Sequence, residues 1–250
     1  MLKPQERQSI QKLFGVSEAQ VDRDHAISHT LAALQQFETE FVFYGGTALS
    51  RTYLNAGRLS EDIDLFTIDR ESLCLELDQL PNLLEQEFPL ANWDFLPSQT
   101  RDPASSLLVC DSSIQIKVQV VDSVSRNWEK VPKELTEILQ RYSDALPAKL
   151  FTPTFDGFVA MKISAWFDRR SPRDLFDLYG LSKEGEVTPV IRELVRELSG
   201  HQMTEKMLDR PPIGLWYEEL AHQTNLQITA EESLQGVLDW WERSSSSRIA

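Results

Sequence analysis

The sequence predicts an α/β fold of the α+β kind, with strands and helices interleaved up to about residue 150 and helices alone beyond it. Three observations carry this. Short apolar runs of strand length, closed by Gly, Asn, Asp or Ser, recur between residues 41 and 121. From about residue 130 the pattern turns helical, punctuated by Pro132, Pro147, Pro153 and Pro172. The chain of 250 residues is 41% hydrophobic with 6 Trp, 12 Phe and 5 Tyr, enough for a real core in one or two domains, which excludes global disorder. The boundary drawn from this is an α/β domain at 1–150 and a helical domain at 151–250.

The opening segment reads as helix. Ser17-Glu18-Ala19-Gln20 fits a capping box, and Ile27, Leu31 and Leu34 recur on one side. Phe41 to Tyr44 is a buried strand closed by Gly45-Gly46, a turn that needs unusual backbone angles. Thr47 then caps a helix to Tyr53, and an Asn55-Ala56-Gly57 turn leads into a second strand ending at Phe66. Residues 71–88 are helical, kinked or split at Pro81. Trp93–Leu96, Leu107–Cys110 and Ile114–Val121 are strands, the last two joined by a tight turn. Ile114, Ile116, Val118 and Val120 face one way, with Gln115, Lys117, Gln119 and Val121 opposite. Helices follow at Phe155–Phe167, Arg173–Leu181, Pro189–Leu198 and Ala230–Trp241, and the serines at 244–247 read as a frayed tail.

Composition narrows the function classes. No apolar run approaches the roughly 18 residues of a membrane span, and the first ten residues hold no apolar signal core, so no membrane association is expected. Two cysteines without CxxC spacing, Cys74 and Cys110, argue against a disulfide scaffold or structural zinc and point to a reducing cytoplasm. A net charge of −14 argues against generic phosphate-backbone binding. That charge is uneven: residues 60–102 carry 11 acids and 2 bases, whereas 141–173 carry 6 bases and 3 acids.

The chemistry concentrates between residues 44 and 64. Asp62 and Asp64 are two apart on a strand, so both carboxylates share a face while Ile63 turns to the core. Two anions side by side repel unless a cation lies between them, and a hard divalent ion such as Mg²⁺ is the natural one. The Gly45-Gly46 turn offers backbone N–H groups and close approach, which suits a phosphate; Ser60 can add a hydroxyl and Arg58 a cation. Singly, a Gly-Gly pair is most often only a turn, and Asp-x-Asp is as often a solvated edge. Together they are the parts nucleotidyl transfer requires.

The motif Gly45-Gly46-Thr47-Ala48-Leu49, with Arg58 and Ser60-Glu61-Asp62-Ile63-Asp64-Leu65, resembles the opening motifs of the AbiEii/AbiGii toxin family of nucleotidyltransferases. About 100 residues downstream, Lys162-Ile163-Ser164-Ala165, Arg169 and Arg173-Asp174-Leu175-Phe176-Asp177-Leu178 resemble the family's second signature. The resemblance covers roughly residues 20–182. It implies a polymerase-β-like nucleotidyltransferase core with a mixed sheet, then a C-terminal helical domain carrying the Lys…Arg-Asp motif. It further implies a Mg²⁺-dependent (or Mn²⁺-dependent) toxin of a bacterial toxin–antitoxin pair that moves nucleoside monophosphate from an NTP to an acceptor, the tRNA 3′ end. A cognate antitoxin encoded nearby, often a winged-helix regulator, is the implied protein partner.

On this reading Asp62 and Asp64 hold metal, and Gly45, Gly46, Thr47, Arg58 and Ser60 bind the nucleotide. Lys162 neutralises phosphate charge, and Asp174 orients or activates the acceptor hydroxyl. Asp177 is a structural residue bracing an arginine. From spacing alone Lys162 more readily snorkels to the surface, and Arg169, Arg170 and Arg173 read as a solvated helix end. Residues 141–173 are where an RNA phosphate path is expected. The family pattern takes a third carboxylate from a later strand, yet here Lys117 and Gln119 occupy the expected face; either Asp122 or Asp111 serves at a strand end, or two aspartates suffice with Asp174 helping, or the enzyme is weakened. That departure keeps two other functions in view: an NTP-binding module with weak or no activity, and a nucleotidyltransferase that modifies a protein or a small molecule. His25, His29, His201 and His222 read as exposed helix histidines, and Trp240-Trp241 as a packing anchor.

Overall fold

A computed structural model describes residues 2–200 and 213–246. Helix α1 (Pro4–Phe14) begins on a proline and stops at Gly15, whose φ of 68° is left-handed. Helix α2 (Glu18–Leu34) opens at Ser17, whose hydroxyl accepts from the Gln20 N–H at 3.3 Å, the cap expected from sequence. Ile27, Leu31 and Leu34 are fully buried. So are several polar residues of α2, which makes it an interior helix and not a surface one.

Five strands form one mixed sheet in the order β1-β2-β5-β4-β3. They are β1 (Val42–Tyr44), β2 (Asp62–Thr67), β3 (Asn92–Trp93), β4 (Ala104–Val109) and β5 (Gln115–Asp122). Only β2 and β5 run parallel; β1 with β2, β4 with β5 and β3 with β4 are antiparallel. A parallel pair needs a long crossover, and this one includes α4 (Arg70–Asp78) and α5 (Leu80–Leu83), which part at Gln79 just before Pro81; the helix expected to run to residue 88 ends at Leu83. Ile63 and Leu65 of β2 and Ile116, Val118 and Val120 of β5 line the buried face. On the opposite face Val42, Phe66, Val121 and Val131 cluster, covering one end. Asp62, Asp64, Lys117 and Gln119 lie at the other end of that face.

Some elements differ from the sequence reading. Helix α3 (Gly45–Ser50) starts on the glycine turn, not at Thr47. Of the third predicted strand, Trp93–Leu96, only Trp93 lies in the observed β3. Residues 133–153, read as helical, form an antiparallel hairpin of β6 (Lys133–Ile138) and β7 (Ala148–Pro153). In β6 only Ile138 is buried, so the strand leaves no two-residue apolar signature; its order comes from the ladder with β7, which lies beside β1.

Helices α6 (Phe155–Arg169), α7 (Pro172–Glu184), α8 (Pro189–Ser199) and α10 (Ala230–Ser246) match the predicted segments, while α9 (Ile213–Leu220) was not foreseen. Ser244–Ser246 continue α10, and Ser247 lies outside the described residues. Phe158, Val159, Ile163 and Trp166 of α6 are buried, and one apolar core runs from α2 through the sheet to α10. Trp240 anchors α10, its indole donating to the Gly185 carbonyl at 2.7 Å. Both cysteines are free and buried. No helix among the described residues is long and apolar enough to cross a membrane.

Candidate active site

Two glycines decide how closely β1 and α3 approach β2. Gly45 has a φ of 80°, and a Cβ built on it would overlap Asp64 Oδ2. A Cβ on Gly46 would overlap Arg58 Nη2 and lie 3.0 Å from Ser60 Oγ. The bare backbone of the turn therefore touches Asp64, Arg58 and Ser60 at once. Thr47 is buried, and its hydroxyl donates to the Asp62 carbonyl, tying α3 to the start of β2.

Asp62 and Asp64 share one face of β2, as their spacing predicts. Burial pushes the Asp64 carboxyl up to about 6, the Asp62 charge adds to this, and Lys162, Lys117 and Arg169 offset it only in part. Burial also raises Asp62, with Lys117 opposing and Glu61 reinforcing. Two partly desolvated carboxylates that resist ionising together suit a hard divalent cation, which would relieve both penalties.

The parallel register sets Lys117 opposite Asp62 and Gln119 opposite Asp64, so a neutral amide stands where a third carboxylate was sought. Asp122 pairs with Thr67 at the far end of the ladder and accepts from the Val124 N–H at 2.8 Å. Asp111 caps its own turn, accepting from the N–H groups of Ser113 and Ile114 at 2.7 and 2.8 Å. Neither replaces Gln119 beside the pair.

The second motif forms an ionic chain between α6, α7 and the loop before β2, buried at Lys162, Asp174, Asp177 and Arg58 and exposed at Arg169. Lys162 is only 6% exposed, which overturns the snorkelling expected from its spacing. Its ammonium lies 3.2 Å from Asp174 Oδ1 and 2.6 Å from Asp177 Oδ2, both presented by α7. Arg169, read as a solvated helix end, grips Asp174 through Nε and Nη2 at 2.7 and 2.8 Å. Arg58 grips Asp177 through Nε and Nη2 at 2.9 and 2.8 Å. Three cations on two carboxylates leave a single positive charge. Burial alone would raise Asp174, but Lys162 and Arg169 hold it below the usual carboxylate range. The same contest at Asp177 ends at about 2, because Arg58 and Lys162 outweigh burial.

Gln223 completes this chain and had no signal in the sequence. Its Oε1 accepts from Arg58 Nη1 at 2.7 Å across 165 residues of chain. The same segment clamps the loop before β2, with Leu59 N–H donating to the Gln223 carbonyl at 2.8 Å and the Thr224 hydroxyl to the Gly57 carbonyl at 2.7 Å.

The basic segment 141–173 is not one surface. Arg141 is buried, 3.6 Å from Asp24, and donates to the Ser50 carbonyl at 2.7 Å. Lys162 and Arg169 are engaged as above, and Arg173 lies 3.5 Å from Glu219. The histidine reading also changes. His25 and His29 are buried, and burial with the neighbouring His25 pushes the His29 imidazole down, favouring its neutral form. His222 is half exposed, and His201 lies outside the described residues. A cleft of about 1000 Å³ between the 53–57 turn, α7 and residues 224–228 touches none of Asp62, Asp64, Lys162 or Asp174. It holds no comparable convergence of charge, so the aspartate face remains the candidate.

A family model described as the nucleotidyl transferase AbiEii toxin of type IV toxin–antitoxin systems matches residues 29–236. A search of curated proteins finds no match. Among solved structures, the nucleotidyltransferase toxin MenT4 of Mycobacterium tuberculosis superposes with a TM-score of 0.65 at 18% identity, covering 91% of this chain and 84% of its own. An H. pylori protein described as a nucleotidyltransferase superposes with a TM-score of 0.55 at 16% identity, covering 94% of this chain and 100% of its own. At these identities the superpositions show the fold, a polymerase-β-like nucleotidyltransferase core. With more than half its length matched by the family model, the chain belongs to the AbiEii nucleotidyltransferase toxin family.

Proposed function

We propose that this chain transfers a nucleoside monophosphate from an NTP to the terminal hydroxyl at the 3′ end of tRNA, with pyrophosphate leaving as the hydroxyl oxygen bonds the α-phosphorus, as the toxin of a pair with a neighbouring antitoxin. The observation that carries the reading is the contact of the Gly45-Gly46 turn with Asp64 of β2 and with Arg58 and Ser60 of the loop before it. Asp62 and Asp64 would hold Mg²⁺ or Mn²⁺, which when bound supplies charge neutralisation for the triphosphate and for the attacking oxygen. Gly45 and Gly46 let the turn pack against Asp64, Arg58 and Ser60 more closely than any side chain would permit, and the N–H groups of that turn would meet the phosphates with the Ser60 hydroxyl beside them. Thr47 and Arg58 act one step back: Thr47 holds α3 to β2, and Arg58 locks the glycine turn to Asp177.

Lys162 and Arg169 bring positive charge towards Asp64, where transferred phosphate would gather negative charge. Asp174 keeps these two cations in place. Its depressed proton affinity and its engagement by both favour a positioning role over that of a general base. The buried free thiols support a cytoplasmic setting.

Incubating the purified chain with labelled NTPs, Mg²⁺ and total tRNA tests this. Labelled RNA that disappears with Asp64→Asn supports the reading; no labelled RNA from active, folded protein sinks the acceptor. Gln119 opposite Asp64 favours one second reading, an NTP-binding module with little turnover. Calorimetric binding of Mg²⁺–NTP without transfer to RNA, protein or small molecule would select it. A labelled protein or small molecule would instead select a different acceptor.

A further inference from the structure

Outside the aspartate face, α2 carries a second set of converging ligand atoms. His25 and His29 lie one turn apart, and their Nε2 atoms approach to 3.1 Å. Asp144, from the loop between β6 and β7, meets them: its Oδ1 and Oδ2 are each 3.1 Å from His25 Nε2, and Oδ2 is 3.9 Å from His29 Nε2. All three donor atoms fall within 4.8 Å of one another. An imidazole nitrogen has a single in-plane position, filled by one proton or one lone pair. A proton on His25 Nε2 can serve Asp144 or His29, not both, so hydrogen bonding does not by itself account for the convergence.

A shared metal does. Zinc bound at about 2.0–2.1 Å in a tetrahedral shell keeps its ligand atoms roughly 3.3 Å apart, close to the separations seen here. Two histidines at i and i+4 on one helical face are a metal-binding spacing in their own right. The rings are held edge-on by neighbours, with Tyr142 at 5.0 Å from His25 and Phe88 at 5.8 Å from His29. Imidazole nitrogen suits zinc, copper, iron or nickel, in contrast to the all-oxygen Asp62–Asp64 pair, which suits magnesium or manganese.

We infer that His25, His29 and Asp144 form a site for a divalent transition metal of the zinc class, which joins α2 to the β6–β7 loop. The role is structural, at a site for which the spacing of the cysteines and the reading of the histidines as exposed gave no sign in the sequence. That loop and α2 together cradle Arg51, which follows α3 and donates to the Leu139 carbonyl at 3.0 Å and to Asp24 Oδ1 at 2.7 Å. The ion would thus brace the frame behind the glycine turn without reaching the reacting groups, and the inference stands whether or not the proposed transfer reaction does.

The test uses the full chain carrying Asp62→Asn and Asp64→Asn, stripped with chelator and dialysed against Zn²⁺. About one Zn²⁺ per chain with a raised melting temperature is expected, and His29→Gln or Asp144→Asn should weaken binding by at least about a hundredfold. Failure of the parent chain to retain Zn²⁺, or undiminished binding by a folded His29→Gln chain, overturns the site. Co²⁺ added to the parent chain gives a reading independent of any variant's folding. Intense four-coordinate ligand-field bands support the site, and a pale aqua-like spectrum overturns it.

Discussion

Gly45 and Asp64 are in direct contact: the α-carbon of the glycine lies where any Cβ would overlap the carboxylate oxygen Oδ2. The φ of 80° at Gly45 adds a second reason for glycine. Gly45→Ala therefore costs about 1–2 kcal/mol in backbone strain alone and pushes Asp64 off its position. A displacement near 1 Å at a reacting centre lowers turnover on the order of 100-fold. Steady-state kinetics on folded Gly45→Ala protein checks this, and near-wild-type kcat would remove the turn from the site.

Asp64→Asn separates function from stability. Burial and Asp62 make the ionised Asp64 unfavourable in the metal-free chain, so the amide should melt at the same temperature or higher while nucleotidyl transfer is lost. Asp62→Asn should behave alike, with a smaller thermal effect. Thermal melts without metal, paired with the labelled-NTP assay, decide it; unchanged transfer in both variants would exclude the pair as the metal platform.

Asp177 predicts the acid limb of stability. Its folded-state value, about 2, lies below the ordinary 3.8, so its contribution is present above that ordinary value and is lost as pH falls towards 2. The linkage is on the order of 2 kcal/mol. Asp177→Asn should flatten this limb and, by leaving Arg58 and Lys162 underpaired in the interior, destabilise the chain by about 3–5 kcal/mol at neutral pH. Urea melts between pH 2 and 7 of both chains measure the two effects together.

Gln119→Asp supplies an anion directly across the ladder from Asp64. If the pair binds a divalent cation, the Mg²⁺ concentration for half-maximal activity should drop roughly tenfold, the equivalent of about 1.4 kcal/mol. An unchanged Mg²⁺ requirement would mean that Gln119 does not face the ion.

Much of this was legible in local sequence because short-range physics set it. Ser17 caps α2 because its hydroxyl reaches the N–H three residues on, and α4 stops short of Pro81, which has no N–H to give the preceding turn and so sits in the first turn of α5. Strand alternation sends Ile63 to the core and leaves Asp62 and Asp64 side by side. The same alternation foretold Lys117 and Gln119 on one face, although only the parallel register revealed which aspartate each one meets.

What stayed hidden depends on segments far apart in the chain. Spacing on α6 left Lys162 free to snorkel, until α7 packed two carboxylates against it. A basic count could not tell that Arg141 would be buried near Asp24, nor that His25 and His29 would turn inward to meet Asp144. Gln223 reaches Arg58 only because the last helices fold back over the loop before β2. Backbone periodicity and glycine's steric freedom are local properties, and they are enough to place Gly45, Gly46, Asp62 and Asp64 on the glycine turn after β1 and on β2. Which charges are paired and which face solvent follows from the folded chain alone, because burial and ionic partnership are properties of surfaces brought together across it.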